Sequence, residues 1–217
     1  MKRLLVVVAL VAASVAAAED VKLANRQESF GAGMTPPVLP SGSTAAYGFV
    51  GAQEIGGGYR YGTGGFELEG RGRFNYLLLS FGGEAIGKYQ FLTRDRVEVG
   101  ASLGLGLGYD SGARYFDIRN FRALLLRVEP GVVGSYRIHD TLRGFALLNA
   151  PLDFGIAPTG GYHVQILAGG GVEFYLGEDL SLFAMGSIGP DVMREPVGLA
   201  LWQIGYSVKV GVGYRMF

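Results

Sequence analysis

The 217-residue sequence contains no cysteine, which excludes disulfide bonds, thiolate metal sites and cysteine nucleophiles. Histidine is scarce, since His139 and His163 are the only two, and this removes most histidine-based metal sites and catalytic triads. Net charge is also lacking, because 19 basic residues balance 19 acidic ones, which is not typical of nucleic-acid-binding proteins. We therefore expect no metal, no cofactor and no nucleic-acid partner.

Long hydrophobic runs are missing beyond the N-terminus. The chain begins MKRLLVVVALVAASVAAAED, in which Lys2 and Arg3 precede an apolar stretch and then a stretch of small residues that ends at Ala18. These three parts are typical of a secretory signal peptide, and the apolar stretch is shorter than the roughly 20 residues that a membrane-spanning helix needs. The sequence predicts a cleaved signal peptide over residues 1–18 and export of the remaining chain.

After the predicted cleavage site, the chain divides into a short segment and one domain. Residues 19–43 have no sustained periodicity and contain two adjacent prolines, Pro36 and Pro37, so we expect an irregular N-terminal segment. From residue 44 to residue 217, segments that alternate with period two are separated by turn residues. No helical period of comparable length occurs there. The sequence predicts a single all-β domain over residues 44–217.

Glycine is abundant, at 37 residues, and most of it lies inside the alternating segments. In VEVGASLGLGLGYD, residues 97–110, the odd positions are apolar and the even positions are glycine, serine or acidic residues. Residues 123–138, 162–176 and 200–216 maintain two such faces. The wet face of a soluble strand normally carries bulkier polar residues. The pattern therefore favours an apolar face toward lipid and a polar face around a small lumen, where glycines leave room for long charged side chains.

The charged residues of these segments fall on the polar face. We predict that they form ion pairs between neighbouring strands, because an unpaired charge in a confined lumen is costly. The predicted lumen network consists of Glu67, Glu69, Arg71, Arg73, Glu84, Lys88, Glu98, Arg127, Glu129, Arg137, Glu173 and Lys209. Such a lumen is filled rather than open. The alternative is a narrow water-filled pore with charged walls that select ions.

The C-terminal sequence VKVGVGYRMF resembles the last strand of bacterial outer-membrane β-barrel proteins, in which alternating apolar residues end in a phenylalanine. The resemblance, to small barrels of the OmpA, OmpX and OmpW kind, implies an antiparallel up-and-down transmembrane β-barrel in the outer membrane of a Gram-negative bacterium. It also implies Phe217 as an assembly signal, with the barrel insertion machinery, outer-membrane lipid and lipopolysaccharide as partners. The chain departs from the family at Arg215, where an aromatic residue is usual.

The sequence allows two strand counts. Residues 44–61, 66–76 and 79–91 form three segments ahead of six later ones, whereas bacterial single-chain barrels have an even number of strands. Merging two early segments across a bulge gives eight strands, which the chain length favours. Dividing residues 44–61 into a hairpin that turns at residues 56–58 gives ten. We expect eight strands, with ten as the alternative.

Connections of two lengths alternate along the chain, and outer-membrane barrels have short periplasmic turns and longer extracellular loops. The short turns lie near Arg94, His139 and Glu178, and the longer connections cover residues 110–122, 157–161 and 189–198. The first long connection is rich in arginine and in aromatic residues, which are enriched at recognition hot spots and also suit lipopolysaccharide phosphates. The candidate interaction residues there are Arg114, Tyr115, Phe116, Arg119, Phe121 and Arg122.

Three functions fit these features. We expect a structural or surface-interaction protein that acts through its extracellular loops and has no enzymatic activity. The alternative is a narrow, porin-like passive channel for ions or small solutes. The third is a lipid A-modifying enzyme, which resemblance to outer-membrane acyltransferases and deacylases would place at His163 with Asp153 nearby. No serine motif accompanies His163, so we expect no catalytic residues.

Overall fold

The computed structural model describes residues 33–114, 120–176 and 179–216, and these form one antiparallel sheet that closes on itself. The predicted signal peptide, residues 19–32 and Phe217 lie outside the described residues. The strands are β1 (Thr44–Gly51), β2 (Glu54–Gly62), β3 (Phe66–Asn75), β4 (Ser80–Arg94), β5 (Val97–Asp110), β6 (Ala123–His139), β7 (Leu142–Asn149), β8 (Leu152–Ala157), β9 (Thr159–Gln165), β10 (Leu167–Leu176), β11 (Leu180–Arg194) and β12 (Ala200–Met216).

The barrel is a ring of ten strands. The ring follows the chain from β1 to β7, continues through β10, β11 and β12, and closes where Thr44 of β1 faces Met216 of β12. The short hairpin of β8 and β9 continues the line of β7 and β10. β8 pairs with the part of β6 that β7 does not reach, and β9 pairs with the part of β11 that β10 does not reach. Pro151, which cannot donate to a strand ladder, lies between β7 and β8.

The expected count of eight strands is therefore wrong, and the alternative of ten is correct. Residues 44–62 form the hairpin of β1 and β2, but it turns at residues 52–53 rather than at residues 56–58. Those glycines lie inside β2, where a Cβ on Gly58 would lie 2.8 Å from the ring of Tyr47. They leave room for an aromatic side chain of the neighbouring strand instead of turning the chain.

The two ends of the barrel differ in their connections. We call the end that holds Thr44 and Met216 the turn end, since residues 63–65, 95–96 and 140–141 make short connections there. The opposite end, the loop end, holds the connections formed by residues 111–122 and 195–199. Two of the long connections expected from the sequence are shorter in the structure. Pro158 alone joins β8 to β9, and β11 continues to Arg194.

The barrel has polar side chains on its inner face and apolar side chains on its outer face, which is the reverse of the arrangement in soluble proteins. Arg60, Glu67 and Glu173 are 0% exposed on the inner face, whereas Trp202 and Ile204 are 69% and 62% exposed on the outer face. Among the described residues each strand of the ring pairs with a strand on either side, and the apolar outer face suits a lipid environment. In the described part of the chain, no helix is both long and apolar enough to cross a membrane.

Glycines on the inner face make room for large lumen side chains. A Cβ on Gly104 would lie 2.9 Å from Oε2 of Glu84, in keeping with the expected space for charged residues. A Cβ on Gly211 would lie 2.3 Å from the ring of Phe183. The space therefore also serves inward-facing aromatic rings, which the sequence analysis did not predict.

Candidate functional site

Residues 33–40, which we call the plug, lie inside the turn end of the barrel. The carboxylate of Glu173 on β10 accepts hydrogen bonds from the backbone N–H groups of Gly33, Met34 and Thr35 at 2.9, 3.0 and 2.6 Å. It also accepts from the hydroxyls of Thr35 and Ser181 at 2.8 and 2.6 Å. One buried carboxylate thus fixes three consecutive residues of a segment that has no regular secondary structure.

The plug is held from a second side by the guanidinium of Arg60 on β2. Arg60 donates to the carbonyl oxygens of Gly33 and Pro36 at 3.0 and 2.8 Å, and Glu67 accepts from the N–H of Leu39 at 2.7 Å. These contacts lie on the neighbouring strands β2 and β3 and on β10, which is separated from β2 in the ring by β1, β12 and β11. The plug therefore crosses the lumen and closes much of the turn end.

A connected series of ion pairs, which we call the lumen network, runs from the plug toward the loop end. Arg60 forms a two-point pair with Glu67 at 2.8 and 2.9 Å. Lys88 bridges Glu67 and Glu69 at 2.8 and 2.5 Å, and Arg71 contacts Glu84 and Glu129 at 2.9 and 3.1 Å. The network members are Arg60, Glu67, Glu69, Arg71, Glu84, Lys88, Arg127, Glu129 and Asp153.

Arg127 completes the network at the loop end. Its Nε lies 2.5 Å from Oδ1 of Asp153, and its Nη1 lies 3.8 Å from Glu129. Asn149 donates to Glu129 at 3.2 Å. The nine members comprise five acidic and four basic groups, and each acidic member has a basic neighbour.

The structure brings seven of the twelve predicted lumen residues into this network: Glu67, Glu69, Arg71, Glu84, Lys88, Arg127 and Glu129. Four others have different surroundings. Glu98 pairs with Arg143 at 2.6 Å, Lys209 pairs with Glu54 at 2.5 Å, Glu173 holds the plug, and Arg73 lines the central cavity. Arg137 shares the strand face of Ser135 on β6.

Three buried residues of the inner face were missed by the sequence analysis. Arg60, Arg143 and Asp191 are 0%, 3% and 1% exposed, whereas Asp153, at 4%, had been named only as a neighbour of His163. The alternation of β2 could have placed Arg60 on the inner face, because it lies between two outward-facing tyrosines of that strand. The plug contacts had no such signal, since an irregular segment shows no period.

A cavity of about 230 Å³ occupies the lumen between the plug and the loop end. Its wall combines charged groups with aromatic and aliphatic ones, including Arg71, Arg73, Glu129, Phe49, Leu125 and Lys209. The ammonium of Lys209 lies 4.8 Å from the ring centre of Phe49, within the range of a cation–π contact. The cavity is thus both polar and apolar, and it is smaller than the roughly 300–1,000 Å³ of typical small-molecule sites.

His163 lies on the inner face near the loop end. It faces Asp153 across the β8–β9 pair, as the sequence suggested, but its Nε2 lies 2.6 Å from Oδ1 of Asp191 on β11. Gln165 donates to the other oxygen of Asp191 at 2.9 Å. Among the described residues, no serine hydroxyl is hydrogen-bonded to His163, and no group of three His, Asp or Glu side chains could hold a metal ion. This arrangement is a side-chain network that joins β9 to β11.

The connection between β5 and β6 folds over the loop end. Asn120, at 0% exposure, donates to the carbonyl oxygens of Leu78 and Ala113 at 2.6 and 2.8 Å, and Arg114 pairs with Glu195. Phe121, predicted as an interaction residue, is instead buried against Met193. Arg122 is exposed. The other three predicted interaction residues, Tyr115, Phe116 and Arg119, lie outside the described residues.

Comparison with known proteins gives similarity in architecture. No protein-family model matches the sequence, and no curated protein matches it. Among solved structures, the NanC porin matches with a TM-score of 0.43 and 11% identity, covering 79% of this chain and 98% of that one. A KdgM porin in complex with disordered oligogalacturonate matches with a TM-score of 0.40 and 13% identity, with the same coverages. The N-terminal β-barrel domain of Pseudomonas aeruginosa OprF matches with a TM-score of 0.36 and 14% identity, covering 82% and 100%.

All three TM-scores lie below 0.5, so these likenesses support no inference about this chain. The architecture that the sequence resemblance implied is confirmed by the fold itself, because the described residues form a closed barrel with a polar interior and an apolar exterior.

Proposed function

We propose that the protein is an integral β-barrel of the bacterial outer membrane, with a structural or surface-interaction role and a lumen closed to solute flow by the plug. The apolar outer face and the closed ring support the placement in a bilayer. The predicted signal peptide supports export to the outer membrane.

The observation that carries the closed lumen is the anchoring of the plug by Glu173 and Arg60. Five hydrogen bonds reach the Glu173 carboxylate, and Arg60 binds two plug carbonyl groups. Both anchoring side chains are 0% exposed, so water competes little for these hydrogen bonds. The plug is therefore held as part of the barrel wall rather than as a loose tail.

The experiment is ion conductance across a planar bilayer after residues 19–217 have been refolded into lipid. We expect the intact chain to be electrically silent while circular dichroism shows a folded β-structure. Discrete and reproducible conductance steps in the intact chain would overturn the closed lumen. A variant without residues 33–40 tests the cause, since it should conduct if the plug is the barrier.

A narrow channel is the second candidate, and the cavity favours it. The cavity wall carries charges of both signs, which suits the passage of small ions once the plug is displaced. Discrete steps in the intact chain would support this channel, whereas steps seen only after deletion of the plug would support the closed lumen.

The surface role rests on the connection of residues 111–122 at the loop end. Arg122 is exposed there, and arginine suits the phosphates of lipopolysaccharide. Arg122→Ala should weaken binding to lipopolysaccharide vesicles and leave the barrel folded. Equal binding by both chains would contradict a role for this loop.

A further inference from the structure

Two charged side chains of the cavity wall have no ion-pair partner in the part of the chain that the structure describes. They are Arg73 on β3 and Asp110, the last residue of β5. The other acidic and basic side chains that line the cavity are all paired, as Lys209 is with Glu54. An unpaired charge in a confined space is costly unless water or a bound molecule compensates it. These two charges therefore distinguish one part of the cavity from the rest.

Strand pairing explains why Arg73 has no neighbour of opposite charge. It lies opposite Gly56 of β2 and Gly82 of β4, and Gly82 lies opposite Gly108 of β5. Gly108 in turn lies opposite Leu125 of β6. Between Arg73 and Leu125 the inner face is therefore bare glycine backbone over three strand spacings, or about 14 Å. We call this recess, with its floor of Gly82 and Gly108, the niche.

The niche is open, whereas the glycine on the other side of Arg73 is covered. A Cβ on Gly108 would lie 3.8 Å from the Cβ of Leu125, which is an ordinary contact, and a Cβ on Gly82 would lie 3.8 Å from Nε of Arg73. A Cβ on Gly56 would instead lie 2.7 Å from the ring of Phe49. Arg73 thus has an aromatic ring on one side and free space on the other.

Asp110 lies at the loop-end side of the niche. It is on the same face of β5 as the niche floor, two residues farther along, and it is hydrogen-bonded to Ser80. Asp153 and His163 interact electrostatically with Asp110, but each of them has an ion-pair partner of its own. A carboxylate has about four acceptor positions, so Asp110 retains the capacity to bind a cation.

We propose that the niche binds a zwitterionic amino acid with an aliphatic side chain. Its carboxylate lies against the guanidinium of Arg73, its ammonium group lies against Asp110, and its side chain packs on Leu125. The two open charges do not pair with each other, so a molecule between them can contact both. The cavity has a volume of about 230 Å³, and a cavity of about 150 Å³ already accommodates benzene, so an amino acid of the size of leucine fits.

This inference goes beyond the closed lumen proposed above and does not depend on it. The plug lies at the turn end, whereas Asp110 directly precedes the connection of residues 111–122 at the loop end. An amino acid that enters from the loop end therefore reaches the niche without passing the plug. Binding and conductance are separate properties of the barrel and are measured separately.

The test is titration calorimetry of residues 19–217, refolded in detergent micelles, with L-leucine as the probe. We expect saturable binding. 4-Methylpentanoate lacks the ammonium group of leucine and 3-methylbutylamine lacks its carboxylate, so each should bind at least about tenfold more weakly. Absence of binding at millimolar L-leucine would overturn the proposal. Equal binding of 4-methylpentanoate would overturn it too, because the niche would then be a simple anion site.

Substitutions assign the two charges to the two ends of the ligand. Arg73→Gln and Asp110→Asn should each weaken the binding of L-leucine about tenfold or more. Arg96→Gln and Asp95→Asn are the matched controls, because both residues are exposed in the turn between β4 and β5 at the opposite end of the barrel. The same affinity in Arg73→Gln and Arg96→Gln would refute the role of Arg73.

A third variant keeps both charges and fills the space between them. A Cβ on Gly108 would meet only contacts of 3.7 Å or longer, so Gly108→Val should fold, and its side chain should abolish the binding of L-leucine. Circular dichroism checks the fold of each variant, and Gly108→Val keeps the proposal testable should Arg73→Gln fail to fold. Unchanged binding by Gly108→Val would place the ligand elsewhere and overturn the niche.

Failure of this proposal is distinguishable from failure of the closed lumen. If the intact barrel conducts ions and binds L-leucine through Arg73 and Asp110, only the closed lumen fails. If the intact barrel is silent and L-leucine does not bind, only the niche proposal fails.

Discussion

The Glu173 carboxylate and the backbone N–H of Thr35 lie 2.6 Å apart, although 138 positions separate the two residues in the sequence. The contact joins a segment that precedes the first strand to one of the last strands of the ring. It makes a segment without secondary structure an integral part of the barrel interior, and it can be tested directly.

We expect Glu173→Ala to loosen the plug, because the change leaves buried N–H groups of residues 33–35 without an acceptor. The expected loss in free energy of unfolding is about 3 kcal/mol, measured by urea titration in lipid vesicles. Hydrogen exchange at residues 33–35 should accelerate. Glu98→Ala is the matched control, since Glu98 is an inner-face carboxylate that pairs with Arg143 instead. Equal acceleration in both variants would contradict the anchoring role.

Removal of one partner from the buried pair of Arg60 and Glu67 should cost more than removal of both. Glu67→Leu leaves the guanidinium of Arg60 buried without its carboxylate, and we expect a loss of about 3–5 kcal/mol. In the double variant Arg60→Leu and Glu67→Leu, the uncompensated charge is absent, so part of this loss should return. A double-mutant cycle from urea titrations measures the coupling, and additive losses would refute it.

Two glycines of the barrel should respond differently to the same substitution. A Cβ on Gly171 would lie 2.1 Å from the carbonyl oxygen of Ala184 and 2.8 Å from the ring of Phe145, so Gly171→Ala should destabilise the barrel by about 1–3 kcal/mol. A Cβ on Gly72 would meet nothing within 4 Å, so Gly72→Ala should change stability by about 0.5 kcal/mol or less. Thermal unfolding followed by electrophoretic mobility distinguishes them, and similar midpoints would argue against close packing at Gly171.

Asn120→Ala should release the loop without unfolding the barrel. The amide of Asn120 ties the loop to Leu78 and Ala113, and the barrel ladders do not depend on it. We expect limited proteolysis to cleave within residues 111–122 several times faster than in the unchanged chain. Arg122→Ala, an exposed neighbour, should be cleaved at the original rate. A similar rate for both variants would show that Asn120 does not hold the loop.

The barrel itself could be predicted from the sequence because period-two alternation is a local property. Residues 97–110 show both faces of β5 without reference to any other strand. The turn at residues 52–53 could not be found in this way, since the glycines at 56–58 give a stronger turn signal than Ala52 and Gln53 do. Those glycines instead leave room for aromatic rings of β1. This is a contact between strands, and it cannot be predicted from one segment of the sequence.

The plug contacts depend on distant parts of the chain. Glu173 was placed on the lumen face by parity, but nothing near it in the sequence indicates that its partners are residues 33–35.

The ring closes through the pairing of β1 with β12, so it cannot close before the last strand has joined the barrel. Until β12 is available, the edge of β1 that pairs with it is open, and open edges are templates for aggregation. Glu173 and Arg60 would also lack their plug partners if the ring formed around an empty lumen. Ring closure therefore waits for β12, the last strand of the chain. Truncation after β11 should leave a chain that aggregates rather than a smaller barrel.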